Sequence, residues 1–526
     1  MATVVENELP SVNPATLDVV GSVRVTAPED VAQAVGEARA AQEIWARATF
    51  GERRVLLVDV ARLVLERMDE IAATITAETG KPIAEAYTTE LLLAVEQLTW
   101  VARNLQRVLA PERVRYGVPY LLHKHARVVY EPLGVVGVIS PWNFPFSIPL
   151  SQTATAVAAG NAVVLKPSEL TPLCGEWVER LFSDAGAPGG LVRVAQGAGD
   201  TGAALVTAPG VAKIIFTGSG ATGRRIAAAA GELLRPVTLE LGGKDPMLVL
   251  HDADFDRAVE GAAWGAFANC GQICVGIERI YVARALHDRF VSALAERAKS
   301  LRIGLGDDPE TDLGPLISEQ QRSKVEDLVS EAIERGAEAA TGARRPSTDL
   351  PGWFYEPTVL TGGDPRARIE KEEIFGPVVT VQPFDDEDEA VRLANDTPFG
   401  LGASVWSRDI ARARALGARI EAGMVWTNDL AYSYGGGPAP WGGRKESGFG
   451  RTHSKHGLYE CSAVKLVDGD SGRLPVPWWY PYSPLGIDGF QGVLELLHGD
   501  GVTTKARALW KHRRGFAHLT KRYLRR

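Results

Sequence analysis

Hydrophobic positions recur every three or four residues through most of the first 110 residues, which is the period of an amphipathic helix. The pattern covers residues 31–46, 53–78 and 84–109 and predicts three helices. Between residues 113 and 131 the spacing becomes strand-like, with tyrosines and interleaved charges. We therefore predict a mainly helical N-terminal region, followed by a β-hairpin that projects from the main body.

Short runs of β-branched and apolar residues then alternate with helical stretches, as buried parallel strands do in α/β proteins. The predicted strands form two series, at residues 134–139, 162–165, 192–195, 213–216 and 247–250, and at 280–282, 378–382, 403–406 and 423–427. This alternation predicts an α/β protein with two doubly wound domains and a cleft between them. The sequence contains no internal repeat.

The C-terminal segment has a different composition. Residues 475–484 are rich in proline and aromatic residues, which predicts an extended conformation. Residues 505–526 hold nine Lys/Arg and no acid, and apolar residues recur every seven positions at Leu509, Trp510, Phe516, Ala517, Tyr523 and Leu524. Gly515 weakens a helix there. This tail could be a solvated end, a helix docked on the acidic body or over a tunnel mouth, or a peripheral contact with an anionic membrane.

Composition narrows the class of protein. A chain of 526 residues with 45% hydrophobic content can bury more than one core, and its net charge of -8 argues against a nucleic-acid partner. Four cysteines are too few for a disulfide framework, which indicates a reducing, cytoplasmic location; they are Cys174, Cys270, Cys274 and Cys461. We expect no metal site, no secretory signal and no transmembrane helix.

Two residues have the chemistry of a nucleophile and its base. Cys274 follows Gly271, whose backbone freedom permits an unusual turn beside the thiol. Glu240 lies between two leucines and is followed by paired glycines, which is an unusual setting for a surface carboxylate. A thiolate nucleophile needs a nearby base, and a partly buried glutamate can serve as one. A buried structural thiol is the alternative for Cys274.

The other candidates for the site lie in turns near the predicted strands. Asn143 is either a turn residue between prolines or an amide donor to a developing oxyanion. The glycine-rich turn at residues 216–223 is either a tight strand-to-helix turn or a phosphate-binding helix N-terminus. Lys166 and Glu169 are either solvated loop charges or hydrogen-bond partners of a nucleotide ribose. The acidic and aromatic loop at 372–377 indicates no role by itself.

Taken together, these motifs resemble those of the aldehyde dehydrogenase superfamily over about residues 10–470. The resemblance rests on the type and order of PWNFP at 141–145, KPSE at 166–169, FTGS with Gly223, ELGGK at 240–244, GQIC at 271–274, EEIFGP at 372–377 and PWGGRKESGFGR at 440–451. The sequence departs from the commonest pattern at Asp245, Trp441 and Thr452. Of these, Trp441 could reshape the substrate side.

The resemblance implies three regions: a dinucleotide-binding domain (1–112 and 133–242), a catalytic domain (243–454) and a β-hairpin oligomerisation element (113–132 and 455–470). The tail (471–526) is longer than most members of the family carry. The hairpin and a strand at about 461–468 would pair across subunits and give a homodimer or homotetramer. An ordinary hairpin on a monomer is the alternative.

The resemblance also implies residue roles. Cys274 would be the nucleophile, Glu240 the general base, and Asn143 would form the oxyanion hole with the Cys274 backbone N–H. The cofactor would be NAD, with NADP as the alternative, held by residues from several motifs: Trp142, Lys166, Ser168, Glu169, Gly218, Ser219, Gly223, Glu373 and Phe375. Because Glu169 would accept hydrogen bonds from the adenosine ribose and repel a 2′-phosphate, we expect NAD to be preferred.

The implied reaction oxidises an aldehyde to a carboxylic acid. The thiolate would form a thiohemiacetal, hydride transfer would leave a thioester, and water activated by Glu240 would hydrolyse it. Relatives that pass the acyl group to coenzyme A typically lack this glutamate. An inactive binding protein on this fold and a reductive enzyme acting on acyl phosphates are the alternatives. Glu240 counts against both.

The substrate pocket is predicted from residues near the nucleophile and from one helix face. If a helix follows Asn143, then Phe144, Ile148 and Ser151 share a face that would line the tunnel. Further lining is expected from Ile273, Val275, Tyr432 and Tyr434. Because the sequence offers no arginine clamp, we predict a medium-chain aliphatic or aromatic aldehyde. Succinic semialdehyde is the alternative substrate.

Overall fold

The computed structural model describes residues 7–118, 121, 123–470, 472, 476 and 478–524. The strands within these residues are β1 (Glu8–Val12), β2 (Val19–Arg24), β3 (Glu112–Val114), β4 (Lys124–Pro132), β5 (Val135–Ile139), β6 (Ala162–Lys166), β7 (Val192–Val194), β8 (Val211–Thr217), β9 (Val237–Glu240), β10 (Asp245–Val249), β11 (Ile277–Ala283), β12 (Ala337–Thr341), β13 (Thr358–Gly362), β14 (Val378–Phe384), β15 (Gly402–Trp406), β16 (Met424–Thr427), β17 (Gly448–Phe449) and β18 (Ser462–Asp470).

The helices within the same residues connect and cover these strands. They are α1 (Val31–Trp45), α2 (Phe50–Glu66), α3 (Met68–Thr79), α4 (Ile83–Glu85), α5 (Leu92–Leu109), α6 (Ser147–Ala158), α7 (Pro172–Asp184), α8 (Gly199–Thr207), α9 (Gly220–Glu232), α10 (Phe255–Phe267), α11 (His287–Lys299), α12 (Glu319–Glu334), α13 (Arg368–Lys371), α14 (Glu387–Asn395), α15 (Ile410–Gly417), α16 (Ser454–Glu460), α17 (Pro484–His498), α18 (Gly501–Lys511) and α19 (Arg513–Leu524).

The described chain divides into two compact units. The first contains the described residues up to Leu109 together with Tyr130–Ala463, and the second contains the described residues of Ala110–Val129 and Val464–Arg526. Among the described residues, no helix is long and apolar enough to cross a membrane. No group of three or more His, Cys, Asp or Glu side chains in that part of the chain is arranged to hold a metal ion.

The first unit is built on two large sheets. One has the strand order β17-β9-β8-β5-β6-β7, and the other has the order β12-β13-β14-β11-β10-β15-β16. Neighbouring strands run parallel except for β17 and β12, each of which pairs antiparallel at an edge. Every residue of β5 and β6 is buried, as expected for parallel strands with both faces covered. The prediction of two α/β sheets is therefore confirmed, but the strand predicted at residues 247–250 as part of the first series is β10, which lies in the second sheet between β11 and β15.

The N-terminal region differs from the prediction in its details. The helix predicted over residues 53–78 is divided at Arg67, where non-helical backbone separates α2 from α3. The pattern over residues 84–109 continues from α4 to α5 through a π-helical turn at Ala86–Leu91. The antiparallel pair β1–β2 was not predicted, because its partly exposed side chains give no buried apolar run.

The second unit contains most of a three-stranded sheet and the three C-terminal helices. The sheet order is β18-β4-β3, and β3 pairs antiparallel with β4, so the predicted hairpin is present. The described residues between 476 and 483 contain neither helix nor strand, as expected for this proline-rich segment. The apolar stripe predicted over 505–526 falls on α18 and α19, which are separated at His512; the side chains of residues 523–526 lie outside the described part. Helix α17 was not predicted.

Candidate active site

Cys274 lies in a constrained loop that follows α10. Asn269, Cys270 and Gly271 all have positive φ values, of 50°, 55° and 69°. A Cβ atom on Gly271 would lie 2.0 Å from the carbonyl oxygen of Gly376, so only glycine fits there. The side-chain amide of Gln272 fixes the loop through two hydrogen bonds: its Nε2 donates to the Asn269 carbonyl, and its Oε1 accepts from the Ile317 N–H. The loop therefore presents Cys274 in a fixed orientation.

Asn143 lies beside this loop and is anchored from behind. Its Nδ2 donates to the Gln272 carbonyl at 2.9 Å. Its own carbonyl accepts from Lys81 Nζ at 2.9 Å and from Asn269 Nδ2 at 3.0 Å. Lys81 forms a fully buried ion pair with Glu90, in which the nitrogen–oxygen distance is 2.8 Å. This pair therefore fixes the backbone of the residue whose amide is the candidate oxyanion donor.

Glu240 is the last residue of β9 and lies close enough to Cys274 for the two groups to influence each other. Both of its carboxylate oxygens are buried without a hydrogen-bond partner among the described residues. Burial raises the pKa of Glu240 well above its usual value, and the Arg451 charge opposes this only in part. Burial also raises the pKa of the Cys274 thiol, and the Glu240 carboxylate raises it further. A carboxylate with a raised pKa is a stronger base, which suits proton removal from a thiol or water.

Two cavities meet at Cys274 and Glu240. The smaller one, of about 200 Å³, lies on the side of the predicted cofactor motifs. It is lined by predicted cofactor residues from loops next to β5, β8 and β14, namely Trp142, Gly218, Ser219, Glu373 and Phe375. The Trp142 and Phe375 rings pack edge to face, with their centroids 5.4 Å apart. Burial raises the pKa of Glu373 to about 7, while its Oε1 accepts a hydrogen bond from the Gly243 N–H at 2.9 Å.

The remaining predicted cofactor residues do not line this cavity: Lys166 ends β6, Ser168 and Glu169 lie in the loop after it, and Gly223 lies in the first turn of α9. Lys166 Nζ donates to the Pro167 carbonyl and lies 3.5 Å from Glu169 Oε2. Ser168 is buried and accepts from the Leu170 N–H. Gly223 serves packing, because a Cβ atom there would lie 2.5 Å from Leu241 Cδ2.

Ser219 is the N-cap of helix α9 and lies in the strand-to-helix turn that the sequence predicted. Its Oγ accepts from the Thr222 N–H at 3.3 Å. The first N–H groups of a helix have no intrahelical partners and favour an anion such as a phosphate. The turn therefore combines both interpretations that the sequence left open, a tight connection and a candidate phosphate site.

The larger cavity, of about 590 Å³, is lined mostly by apolar and aromatic side chains. Of the predicted substrate residues, it is lined by Phe144, Ile148, Ile273, Val275, Tyr432 and Tyr434. Trp441, the unusual residue of its motif, also lines the cavity and packs edge to face against Tyr434 with centroids 4.8 Å apart. No lysine, arginine or histidine is among the described residues of this lining.

Ser151 is the one predicted substrate residue that the structure places elsewhere. It is buried and does not line the cavity, whereas Gln152 does, with its Nε2 donating to Thr217 Oγ1 at 2.8 Å. The expected helix face was wrong because α6 begins at Ser147, so Phe144 precedes the helix. On α6, the residue that lines the cavity after Ile148 is Gln152, four positions later, and not Ser151, three positions later.

Sequence reasoning missed several residues of the lining. They come from α5, α10 and the segment after β16, and include Leu93, Trp264, Asp429 and Leu430. Trp264 is 47% exposed, whereas its neighbours Ala263 and Gly265 on α10 are buried. The sequence signal is a tryptophan among alanines and glycines, ten residues before the candidate nucleophile.

Comparison with known proteins agrees with this arrangement. The model of the aldehyde dehydrogenase family matches residues 2–467. A betaine aldehyde dehydrogenase of Mesorhizobium japonicum is 40% identical over 89% of this chain and 95% of its own length. A 4,4'-diapolycopene aldehyde oxidase of Methylomonas sp. is 37% identical over 93% of this chain and 91% of its own. A Mycobacterium tuberculosis aldehyde dehydrogenase, solved as a complex with NAD+, has a TM-score of 0.84 and 34% identity over 88% of this chain and 95% of that chain.

The two α/β sheets, with a cysteine and a glutamate where two cavities meet, define a nicotinamide-dependent oxidoreductase. The chain belongs to the aldehyde dehydrogenase family. It is an NAD(P)-dependent enzyme, so the alternative of an inactive binding protein is set aside.

Proposed function

We propose that the protein oxidises an uncharged aliphatic or aromatic aldehyde of medium chain length to its carboxylic acid. The observation that carries this proposal is the largely apolar cavity of about 590 Å³ that ends at Cys274. Burial of an apolar side chain there stabilises the bound aldehyde by about 25 cal/mol per Å² of apolar surface removed from water. The residues around Cys274 support the chemistry.

Cys274 would be the nucleophile and would attack the carbonyl carbon as a thiolate. Glu240, whose pKa burial raises, would take the thiol proton. The Asn143 amide and the Cys274 backbone N–H would donate to the oxygen that becomes negatively charged. Lys81 and Glu90 would keep the Asn143 amide in place before the substrate arrives, which is the arrangement that makes such donors effective.

The smaller cavity and the strand ends beside it have the chemistry that a dinucleotide requires. Lys166 and Glu169 offer a donor and an acceptor to the adenosine ribose, and the N-terminus of α9 offers N–H groups to the pyrophosphate. Glu373 offers its carboxylate to the second ribose. When bound, the nicotinamide cofactor accepts the hydride that leaves the thiohemiacetal carbon. After releasing the thiol proton to solvent, Glu240 would activate water to hydrolyse the thioester, which frees the acid and the Cys274 sulfur.

The proposed domains follow the two sheets. In this proposal, residues 1–112 and 133–242 form the dinucleotide-binding domain, and residues 243–454 form the catalytic domain. The edge strand β17 pairs with β9 and carries the catalytic-domain segment to Glu240. Residues 113–132 and 455–470 would form the oligomerisation element, since β18 is the terminal strand of its sheet and has exposed side chains at Val464 and Leu466. A homodimer or homotetramer would pair such edges. The four free thiols support a cytoplasmic location.

A cationic aldehyde is the second candidate substrate. Asp429 is the one acidic residue besides Glu240 in the described lining of the cavity, and aromatic rings of Trp264, Tyr432 and Trp441 share that lining. Aromatic faces and a carboxylate attract quaternary ammonium groups. The names of two relatives point to different aldehydes, of which betaine aldehyde is one. However, Arg257 lies 3.8 Å from Asp429 and neutralises part of its charge.

We predict that kcat/KM with NAD falls in the order hexanal or benzaldehyde, then betaine aldehyde, then succinic semialdehyde. Succinic semialdehyde is an anion and its product is a dianion, and the described lining offers no basic residue to either. Its kcat/KM should therefore be at least about 100-fold lower than that of hexanal. Asp429→Asn should leave hexanal oxidation unchanged, with Asp256→Asn as the matched surface control. Betaine aldehyde as the best substrate, with a loss of about 10-fold or more in Asp429→Asn, would establish the cationic alternative.

We also predict a preference for NAD that depends on Glu169. This carboxylate lies beside Lys166 and is partly exposed, so solvent screening reduces its repulsion of a 2′-phosphate to about 1–2 kcal/mol. Glu169→Gln should therefore raise kcat/KM for NADP relative to NAD by about 10-fold. Glu43→Gln, at a distant exposed site, should leave the ratio unchanged. Comparable kcat/KM values for the two cofactors in the wild-type enzyme would contradict this assignment.

A further inference from the structure

Helix α17 presents small residues to its neighbours and large apolar residues to solvent. Gly486, Gly489 and Gly492 form its buried face. On its outer side, Ile487 is 58% exposed and Leu494 is 61% exposed. This is the reverse of an ordinary amphipathic helix, which buries its large apolar side chains and exposes its polar ones.

The glycine face exists because α17 and α19 pack closely. A Cβ atom on Gly489 would lie 2.7 Å from the Gly515 carbonyl oxygen, and one on Gly515 would lie 2.2 Å from the Gly489 nitrogen. Small residues at such a crossing let two backbones approach, as they do between helices in membranes. The packing of this unit therefore leaves the outer apolar side chains of α17, Ile487 and Leu494, exposed to solvent.

Both acidic side chains of α17 are paired with groups of the same unit. Asp488 lies 2.7 Å from His512 Nδ1 and accepts from the Gly515 N–H, and Glu495 accepts from Lys511 Nζ at 2.7 Å. Residues 475–526 hold nine Lys/Arg against three Asp/Glu, which is a net charge of +6 in a chain whose net charge is -8. Basic side chains are exposed along α18 and α19, at Lys505, Arg507, Arg513, Arg514 and Lys521.

Exposed aromatic residues accompany these charges. Trp479, Tyr480 and Tyr482 precede α17, and Trp510 ends the exposed face of α18 with 72% of its surface exposed. Tryptophan and tyrosine favour the boundary between lipid headgroups and acyl chains, because each has an apolar ring and a polar atom.

We propose that residues 478–524 bind the surface of an anionic bilayer. The outer side chains of α17 would enter the boundary layer, and the basic residues of α18 and α19 would contact the headgroups. With 15 residues, α17 is about 22 Å long, which suits a helix lying in the interface rather than across the hydrocarbon layer of about 30 Å.

A second copy of the chain fits this surface less well. A twofold contact pairs a patch with itself, so it would bring together two segments that each hold seven Lys/Arg against three Asp/Glu between residues 478 and 524. An anionic lipid surface instead complements the charge. This inference concerns the C-terminal unit and does not depend on which aldehyde the enzyme oxidises.

The test is cosedimentation of the full chain with vesicles. We expect binding to vesicles of phosphatidylglycerol and phosphatidylcholine in equal parts, and little binding to phosphatidylcholine alone. The variant K505Q/R507Q/R514Q should bind about 100-fold more weakly, because each basic residue near an anionic surface contributes about a factor of five. The variant I487S/L494S should bind about 10-fold more weakly through the loss of apolar contact. All of these positions are exposed, so both variants should keep the dehydrogenase activity and the melting temperature of the wild type.

Matched controls carry the same changes at exposed positions of the first unit. R47Q/R54Q/R408Q removes three positive charges, and I44S/L234S removes two apolar side chains. Both should bind vesicles like the wild type. Equal binding of all variants, or no binding of the wild type to the mixed vesicles, would overturn the proposal. So would a change in light-scattering mass in I487S/L494S without vesicles, since that surface would then be a contact between protein chains.

Discussion

Cys274→Ala should abolish aldehyde oxidation, while NAD binding and the melting temperature should stay close to those of the wild type. The expected loss in kcat/KM is about 10⁵-fold, because removal of a covalent nucleophile leaves only binding and oxyanion stabilisation. The side chain is small and only its sulfur is lost, so the loop held by Gln272 should keep its conformation. NAD reduction with hexanal measures the activity, and quenching of tryptophan fluorescence measures cofactor binding.

The control for this experiment is another thiol of the same chain. Cys461 is buried beside β18 and away from both cavities, so Cys461→Ala should retain full activity. Cys270 lies in the same loop as Cys274 but is fully buried, and burial raises its pKa well above the usual value. If Cys270→Ala were inactive and Cys274→Ala active, the nucleophile would be assigned to the wrong cysteine.

Glu240→Gln should slow turnover by about 10²–10⁴-fold, the usual contribution of a general base. In rapid-mixing experiments both thioester formation and its hydrolysis should slow, because the same carboxylate would take the proton from the thiol and later from water. The pH profile gives a second reading. Since the pKa of Glu240 is raised, its basic form accumulates only as the pH rises through that value, so kcat should rise with pH above the range of an ordinary glutamate.

This rise should disappear in Glu240→Gln, which has no titratable group at that position. Glu232→Gln, at the exposed end of α9, is the control and should keep both the turnover and the pH profile. A variant at Glu240 that turns over like the wild type, or a wild-type profile without a rise above the range of an ordinary glutamate, would show that another base acts.

The sheets and the candidate site were readable from the sequence to different degrees. Parallel strands such as β5 and β6 are buried on both faces, so their apolar runs are continuous and easy to recognise. Helix α17 was missed because three glycines lower its helix propensity, and only the close approach of α19 makes them favourable. Propensity is local, whereas this helix depends on a tertiary contact.

The residues of the site were recognised through the types and order of their motifs, but their contacts were not. Nothing in the local sequence relates Lys81 and Glu90 to Asn143, because the link is made by a buried ion pair and a backbone carbonyl. Ser151 was predicted to share a face with Phe144 and Ile148, but α6 begins only at Ser147, so Phe144 is not on the helix. Successive helix residues are about 100° apart, and the next position, Gln152, lines the cavity instead.

The buried pair of Lys81 and Glu90 also separates two kinds of sequence change. It fixes the oxyanion donor from within the protein, at positions that do not line the larger cavity. The cavity wall comes instead from α5, α10 and the segment containing Leu430 and Tyr434. Substitutions in that wall can alter which aldehydes fit without moving the reacting groups. New substrate ranges can therefore evolve on this scaffold while the chemical step is conserved.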